Sequence, residues 1–199
     1  MEEVLPGIFH WSAPHPNTGG IAHSYLLAES RTVLDPMASE EALELMREHR
    51  PDRVVLTNRH HYRESGSLVE EFGIPVLCPE PGLHEFAGGD RRVEPYSYGE
   101  VLAPGVIVHE LGAICPDDAA IEIRADRGVL AFADGLIRRD GELGFVSDGL
   151  LGDDPDEVKE GLRASLRRLT ELEFDAMLFA HGEPLASGAK ERLLEFLGD

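Results

Sequence analysis

Two blocks of strand-like sequence, each interleaved with helical sequence, constrain this chain more than any single motif. The first opens with Leu5 to Trp11, Ala22 to Leu27 and Thr32 to Leu34, short apolar runs punctuated by Pro, Gly and Asn. Ser39 then reads as the N-cap of a helix whose apolar face is Leu43, Leu45 and Met46. A strand over 53–57, a helix starting at Ser65 or Ser67 and a strand over 74–80 follow. The second block is GVIVHEL (105–111), AAIEIR (119–124) and GVLAFADGLI (128–137), with a tight turn at Asp126-Arg127-Gly128. A long helix comes next, capped by Asp154, with Pro155 in its first turn and Val158, Leu162, Leu166 and Leu169 at helical spacing. A strand and turn over 176–185 and a helix over 187–197 end the pattern. Strand sets that each associate with helices predict layers: two sheets face to face, helices outside. The chain has 199 residues and no repeat, low-complexity tract or linker, so residues 1–199 are expected to form one domain.

Charge narrows the function classes. The formal net charge is −20, from 38 acidic against 18 basic residues, a balance that repels both a phosphate backbone and an anionic membrane surface. Neither nucleic acid nor membrane is expected as a partner; a small-molecule ligand and a homodimer are both compatible with the composition. No apolar run reaches the roughly 18–20 residues that span a bilayer, and MEEVLPGIFHW lacks the features of a signal peptide. The expected location is the cytoplasm. The two cysteines, Cys78 and Cys115, form no C-x-x-C pair and read as reduced thiols.

Five loops and strand ends hold the residue types of a metal site: TVLDPM (32–37), VVLTNRHHYRESG (54–66), HELGAICPDD (109–118), LAFADGLI (130–137) and LFAHGEP (178–184). In order and spacing they resemble the motifs of the metallo-β-lactamase fold superfamily. That resemblance implies an α+β fold, a four-layer αβ/βα sandwich of two mixed sheets with helices outside, and a hydrolase-like centre of one or two metal ions. Set on the superfamily's T-H-x-H-x-D-H-x-x-G motif, Thr57 and Gly66 match and His60 falls on the second histidine. Asn58, Tyr62 and Arg63 stand where the first histidine, the aspartate and the third histidine belong, and Ala113 stands where a later histidine belongs. The resemblance thus leaves His60, Asp134 and His181 as the metal candidates, with most of the ligand set replaced.

The replacements carry chemical consequences. Asn is a weak neutral ligand, Ala is none, and Arg63 brings a permanent cation to the second-ion position, so ordinary dinuclear hydrolysis is not expected. Two His and one Asp suffice for a single divalent ion, zinc or ferrous iron, with help from His61, Tyr62 or Cys115. The competing expectation is a metal-free pocket in which Arg63 pairs with Asp134. His61, adjacent to His60, is expected to diverge to the surface. Asn58, Tyr62 and Arg63 are the pocket candidates, and three functions follow: a single-metal hydrolase of a small ester, thioester or lactone; a metal-free protein that binds a small molecule or performs non-hydrolytic chemistry with Tyr62, Arg63 and His60; or a non-catalytic structural or interaction protein.

Overall fold

The computed structural model describes residues 1–198. The first sheet contains seven strands in chain order: β1 (Glu2–Leu5), β2 (Ile8–Pro14), β3 (Ile21–Leu27), β4 (Thr32–Leu34), β5 (Arg53–Val55), β6 (Val76–Pro79) and β7 (Val93–Tyr96). Strands β1 to β4 pair antiparallel, whereas β4 to β7 pair parallel. The parallel part needs crossovers, and α1 (Glu40–His49) and α2 (Ser65–Phe72) supply two of them. The Ser39 side chain caps α1 by accepting from the Ala42 amide, as its sequence predicts.

The second sheet is built from β8 (Val101–Ala103), β9 (Val106–Glu110), β10 (Ala119–Ile123), β11 (Val129–Phe132) and, late in the chain, β14 (Ala176–Phe179). Its order is β14-β11-β10-β9-β8, and β14 lies parallel to β11. The run 128–137, expected as one strand, stops at Phe132. Backbone from Asp134 leaves the sheet, and a separate ribbon forms from β12 (Ile137–Arg139) and β13 (Glu142–Gly144). The crossover between β11 and β14 includes α3 (Pro155–Leu169), capped by Asp154 through the Glu157 amide. The helix α4 (Ala189–Leu197) follows β14.

Three apolar clusters define the layers. Tyr25, Leu34 and Val55 of the first sheet meet Val108, Ile121, Ala131 and Leu178 of the second. Leu26, Val33 and Val54 face Ala42, Met46 and Leu68 of α1 and α2. On the far side, Leu130, Phe132 and Met177 face Leu166, Leu169 and Leu193 of α3 and α4. Alternation along β3 and β4 therefore sends successive side chains to different cores. The carboxyl ends of β4, β5, β11 and β14 come together at one rim, tied across the sheets by the Ala119 amide on Thr57 O (3.0 Å) and the His23 amide on Ala180 O (3.0 Å). Among the described residues, no helix is long and apolar enough to cross a membrane.

Candidate metal centre

Each strand end at this rim contributes one part of a charged cluster. Asp35 leaves β4 with φ 46°, a left-handed conformation that Asp tolerates better than most side chains. Its carboxylate turns back onto β5: Oδ1 accepts from the Thr57 amide (2.8 Å) and Oδ2 from the Thr57 hydroxyl (2.5 Å). After Thr57 the chain makes a short 3-10 turn over Arg59–Tyr62, capped by Asn58, whose Oδ1 accepts from the His60 amide (3.0 Å). That turn drives His61 inward and His60 outward. His61 is buried, with Nδ1 3.0 Å from Asp35 Oδ2, while His60 is exposed.

The far nitrogen of His61 faces the other sheet. Its Nε2 is 3.5 Å from Asp134 Oδ1 and 3.3 Å from His181 Nε2, and His181 Nε2 is 3.0 Å from the same Asp134 oxygen. Asp134 follows β11 and His181 follows β14. The His181 turn is fixed by the Arg138 amide on His181 O (3.0 Å) and by Gly182, where a Cβ would collide with the Arg138 carbonyl. Gly135 has a similar role, because a Cβ there would overlap the Asp118 carboxyl.

Electrostatics bind the cluster together. Burial alone would lower the His61 pKa, but the Asp35 and Asp134 carboxylates outweigh it and raise it to about 9. Burial pushes Asp35 and Asp134 upward, yet His61 beside both, with His181 on Asp134, holds them below the ordinary carboxylate range. Asp118, fully buried, accepts the Asp134 amide at Oδ1 (3.2 Å), and its Oδ2 has no hydrogen-bond partner among the described residues. Burial and the neighbouring Asp134 charge raise its pKa to about 8, so it keeps its proton at neutral pH.

Several expectations are corrected here. His60 does not approach Asp134 or His181; its neighbour His61 does, because the 3-10 turn and the Asp35–Thr57 pair select which of the two rings points inward. Arg63 does not pair with Asp134. Its Nη1 donates to His23 O (2.6 Å) and Asp35 O (2.8 Å), and its Nη2 to Ala180 O (3.2 Å). Instead the Asn58 amide takes Asp134 Oδ2 at 2.7 Å. Tyr62 packs on Phe86, with the Arg91 guanidinium 4.4 Å above its ring, and faces a different hollow of about 780 Å³. Cys78 is buried and Cys115 half-buried, both as free thiols.

His61, Asp134 and His181 thus offer converging donor atoms, all within 4.8 Å of one another. His181 opens on a cleft of about 760 Å³, also lined by Ile21, His23 and Arg138. Two mixed sheets packed face to face under helices, with charged loops at one rim, give the chain the fold of solved metallo-β-lactamase family proteins. TTHA1429, a metallo-β-lactamase family protein from Thermus thermophilus, is similar with a TM-score of 0.66 and 20% identity, over 98% of this chain and 80% of its own. TTHA1623, solved in a di-iron-bound form, has a TM-score of 0.62 and 22% identity, with 92% of each chain covered. BLEG-1 B3 metallo-β-lactamase has a TM-score of 0.66 and 17% identity, over 96% of this chain and 100% of its own. No family model matches the chain, and no curated protein does.

Proposed function

We propose that the protein is a metal-dependent hydrolase with one divalent ion, zinc or ferrous iron, held by His61, Asp134 and His181. The observation that carries this reading is the triangle of donor atoms with sides of 3.0, 3.3 and 3.5 Å. An ion with tetrahedral bonds of about 2.0–2.1 Å spaces its ligands roughly 3.3–3.4 Å apart. Two imidazoles and a carboxylate are a donor set that suits both metals. A bound ion would supply Lewis acidity toward a carbonyl oxygen and acidify a water. The chain's own residues do the positioning. Asp35 orients the His61 ring through Nδ1, and Asn58 donates to Asp134 Oδ2, which leaves Oδ1 facing His61 and His181. The Arg63 cation nearby also opposes a second dication, which favours a mononuclear centre. Support for a metal also comes from TTHA1623, a structural neighbour that binds two irons.

The substrate class follows from the superfamily resemblance: a small ester, thioester or lactone small enough for the cleft. The alternative is a metal-free binding protein, favoured by one observation: a protonated His61 between Asp35 and Asp134 would satisfy the cluster by itself. Protein stripped with chelator and reloaded with zinc or ferrous iron separates the two. One equivalent bound, with hydrolysis of at least one of the three substrate types, supports the hydrolase; less than about a tenth of an equivalent supports the binding protein.

A further inference from the structure

A second group of potential ligands, His10, His23 and Glu183, also lies with donor atoms within 4.8 Å. Geometry argues against an ion there. The His10 and His23 rings are parallel to within 7°, with centroids 5.1 Å apart and His10 Nε2 only 2.9 Å from His23 Nδ1. Parallel rings reach those two distances together only when they lie edge to edge, nitrogen facing nitrogen. Lone pairs aimed at each other share a proton well but do not converge on a common metal.

That proton sits on a wall between two hollows. His10 lines one of about 330 Å³, together with Glu2, Trp11 and Glu183. His23 lines the cleft of about 760 Å³ that also holds His181 and Glu183. Outside the wall, Glu2 Oε1 lies 3.6 Å from His10 Nδ1, with 67% of the Glu2 side chain exposed. Inside it, His23 Nε2 has no hydrogen-bond partner among the described residues, although His23 is only 4% exposed. Sheet register builds the pair: His10 lies opposite Tyr25 and His23 opposite Ser12, so the two histidines are diagonal neighbours on adjoining strands. A buried imidazole with one nitrogen committed to a relay and the other unclaimed beside a candidate active site has the arrangement of a general acid.

We propose that Glu2, His10 and His23 form a proton relay that makes His23 the general acid for the leaving group, a role that rests on the hydrolase reading above. In ester cleavage, water adds to the carbonyl carbon and the carbon–oxygen bond to the alcohol breaks. The departing oxygen takes the proton of His23 Nε2. In the same step His23 Nδ1 takes the proton of His10 Nε2, and His10 Nδ1 takes one from solvent by way of Glu2, so neither neutral ring becomes an anion. The added water releases its protons to solvent, so the balance is one carboxylate, one alcohol and one net proton. His10 and Glu2 act only through His23 and are positioning residues.

Leaving-group dependence tests the relay on metal-loaded protein with two esters of one acid, an ethyl ester and a 4-nitrophenyl ester. An ethoxide leaving group needs a proton, whereas nitrophenolate leaves without one. General acid catalysis contributes about 100-fold or more, so His23→Ala is expected to lose at least about tenfold more kcat on the ethyl ester than on the nitrophenyl ester. Added imidazole should restore part of the ethyl ester rate. His10→Gln, which can hydrogen-bond to His23 but cannot pass a proton through, should lower kcat on the ethyl ester about tenfold with KM little changed. Equal losses on both esters, or native kinetics in His10→Gln, would overturn the relay and leave the hydrolase reading standing. Native protein that, with metal bound, turns over no ester, thioester or lactone would overturn both. A readout independent of activity is nitrogen-15 coupling across the His10–His23 hydrogen bond in metal-free protein, expected in the native chain and lost in His10→Ala. Its absence from the native chain would also overturn the relay.

Discussion

Asp35 Oδ2 lies 3.0 Å from His61 Nδ1, on the side of the imidazole opposite Asp134 and His181. A carboxylate there fixes the tautomer of a ligand histidine, so that Nε2 presents its lone pair to the ion. Asp35→Asn loses the charge and one of the two accepting oxygens, and should weaken zinc binding about 10- to 100-fold in a competition titration. Unchanged affinity would remove Asp35 from the account.

Arg63 is held at φ 44° and ψ −117°, a conformation that non-glycine residues rarely adopt, by its bonds to three carbonyls, one from β3 and two from the turns after β4 and β14. It ties the two sheets together at the rim. Arg63→Ala should lower unfolding free energy by about 3–5 kcal/mol in urea melts, because buried carbonyls lose charged donors. Arg63→Lys should recover less than half of that, since one ammonium cannot span the same fork. A melt unchanged in Arg63→Ala would contradict this bracing role.

Asp118 gives the pH dependence. Its folded pKa of about 8 stands above the ordinary 3.8, so the unfolded chain gives up the proton first as pH rises. Stability of the metal-free protein is therefore eroded by this group from about pH 4 up to pH 8 and by a constant amount beyond. Asp118→Asn removes the ionisation but leaves an amide with an unpartnered atom. It should be about 1–3 kcal/mol more stable than native protein at pH 9, with the gain closing toward pH 4. A gain independent of pH would show that Asp118 does not carry its proton in the folded state.

The layers were legible in the sequence because burial periodicity and motif order both survive in a single chain. Asp35, Asp134 and His181 could be placed because each ends an apolar strand. The choice between His60 and His61 could not be made by motif counting. It depends on a 3-10 turn whose direction is set by Asn58 capping and by where Asp35 waits across the sheet. The pairing of Thr57 with a histidine four residues later was a local signal pointing to His61. Arg63 misled for a related reason: charge complementarity suggested Asp134, but its positive φ aims the guanidinium at carbonyls. His10 and His23 escaped notice because a diagonal pair appears only once strand register is known.

The mononuclear centre stands or falls on metal content compared across His60→Ala, His61→Ala and native protein, all reloaded with zinc and freed of excess. The account predicts one equivalent per chain in native protein and in His60→Ala, and less than about a tenth in His61→Ala. Two equivalents in native protein, or loss of metal in His60→Ala with retention in His61→Ala, would contradict it.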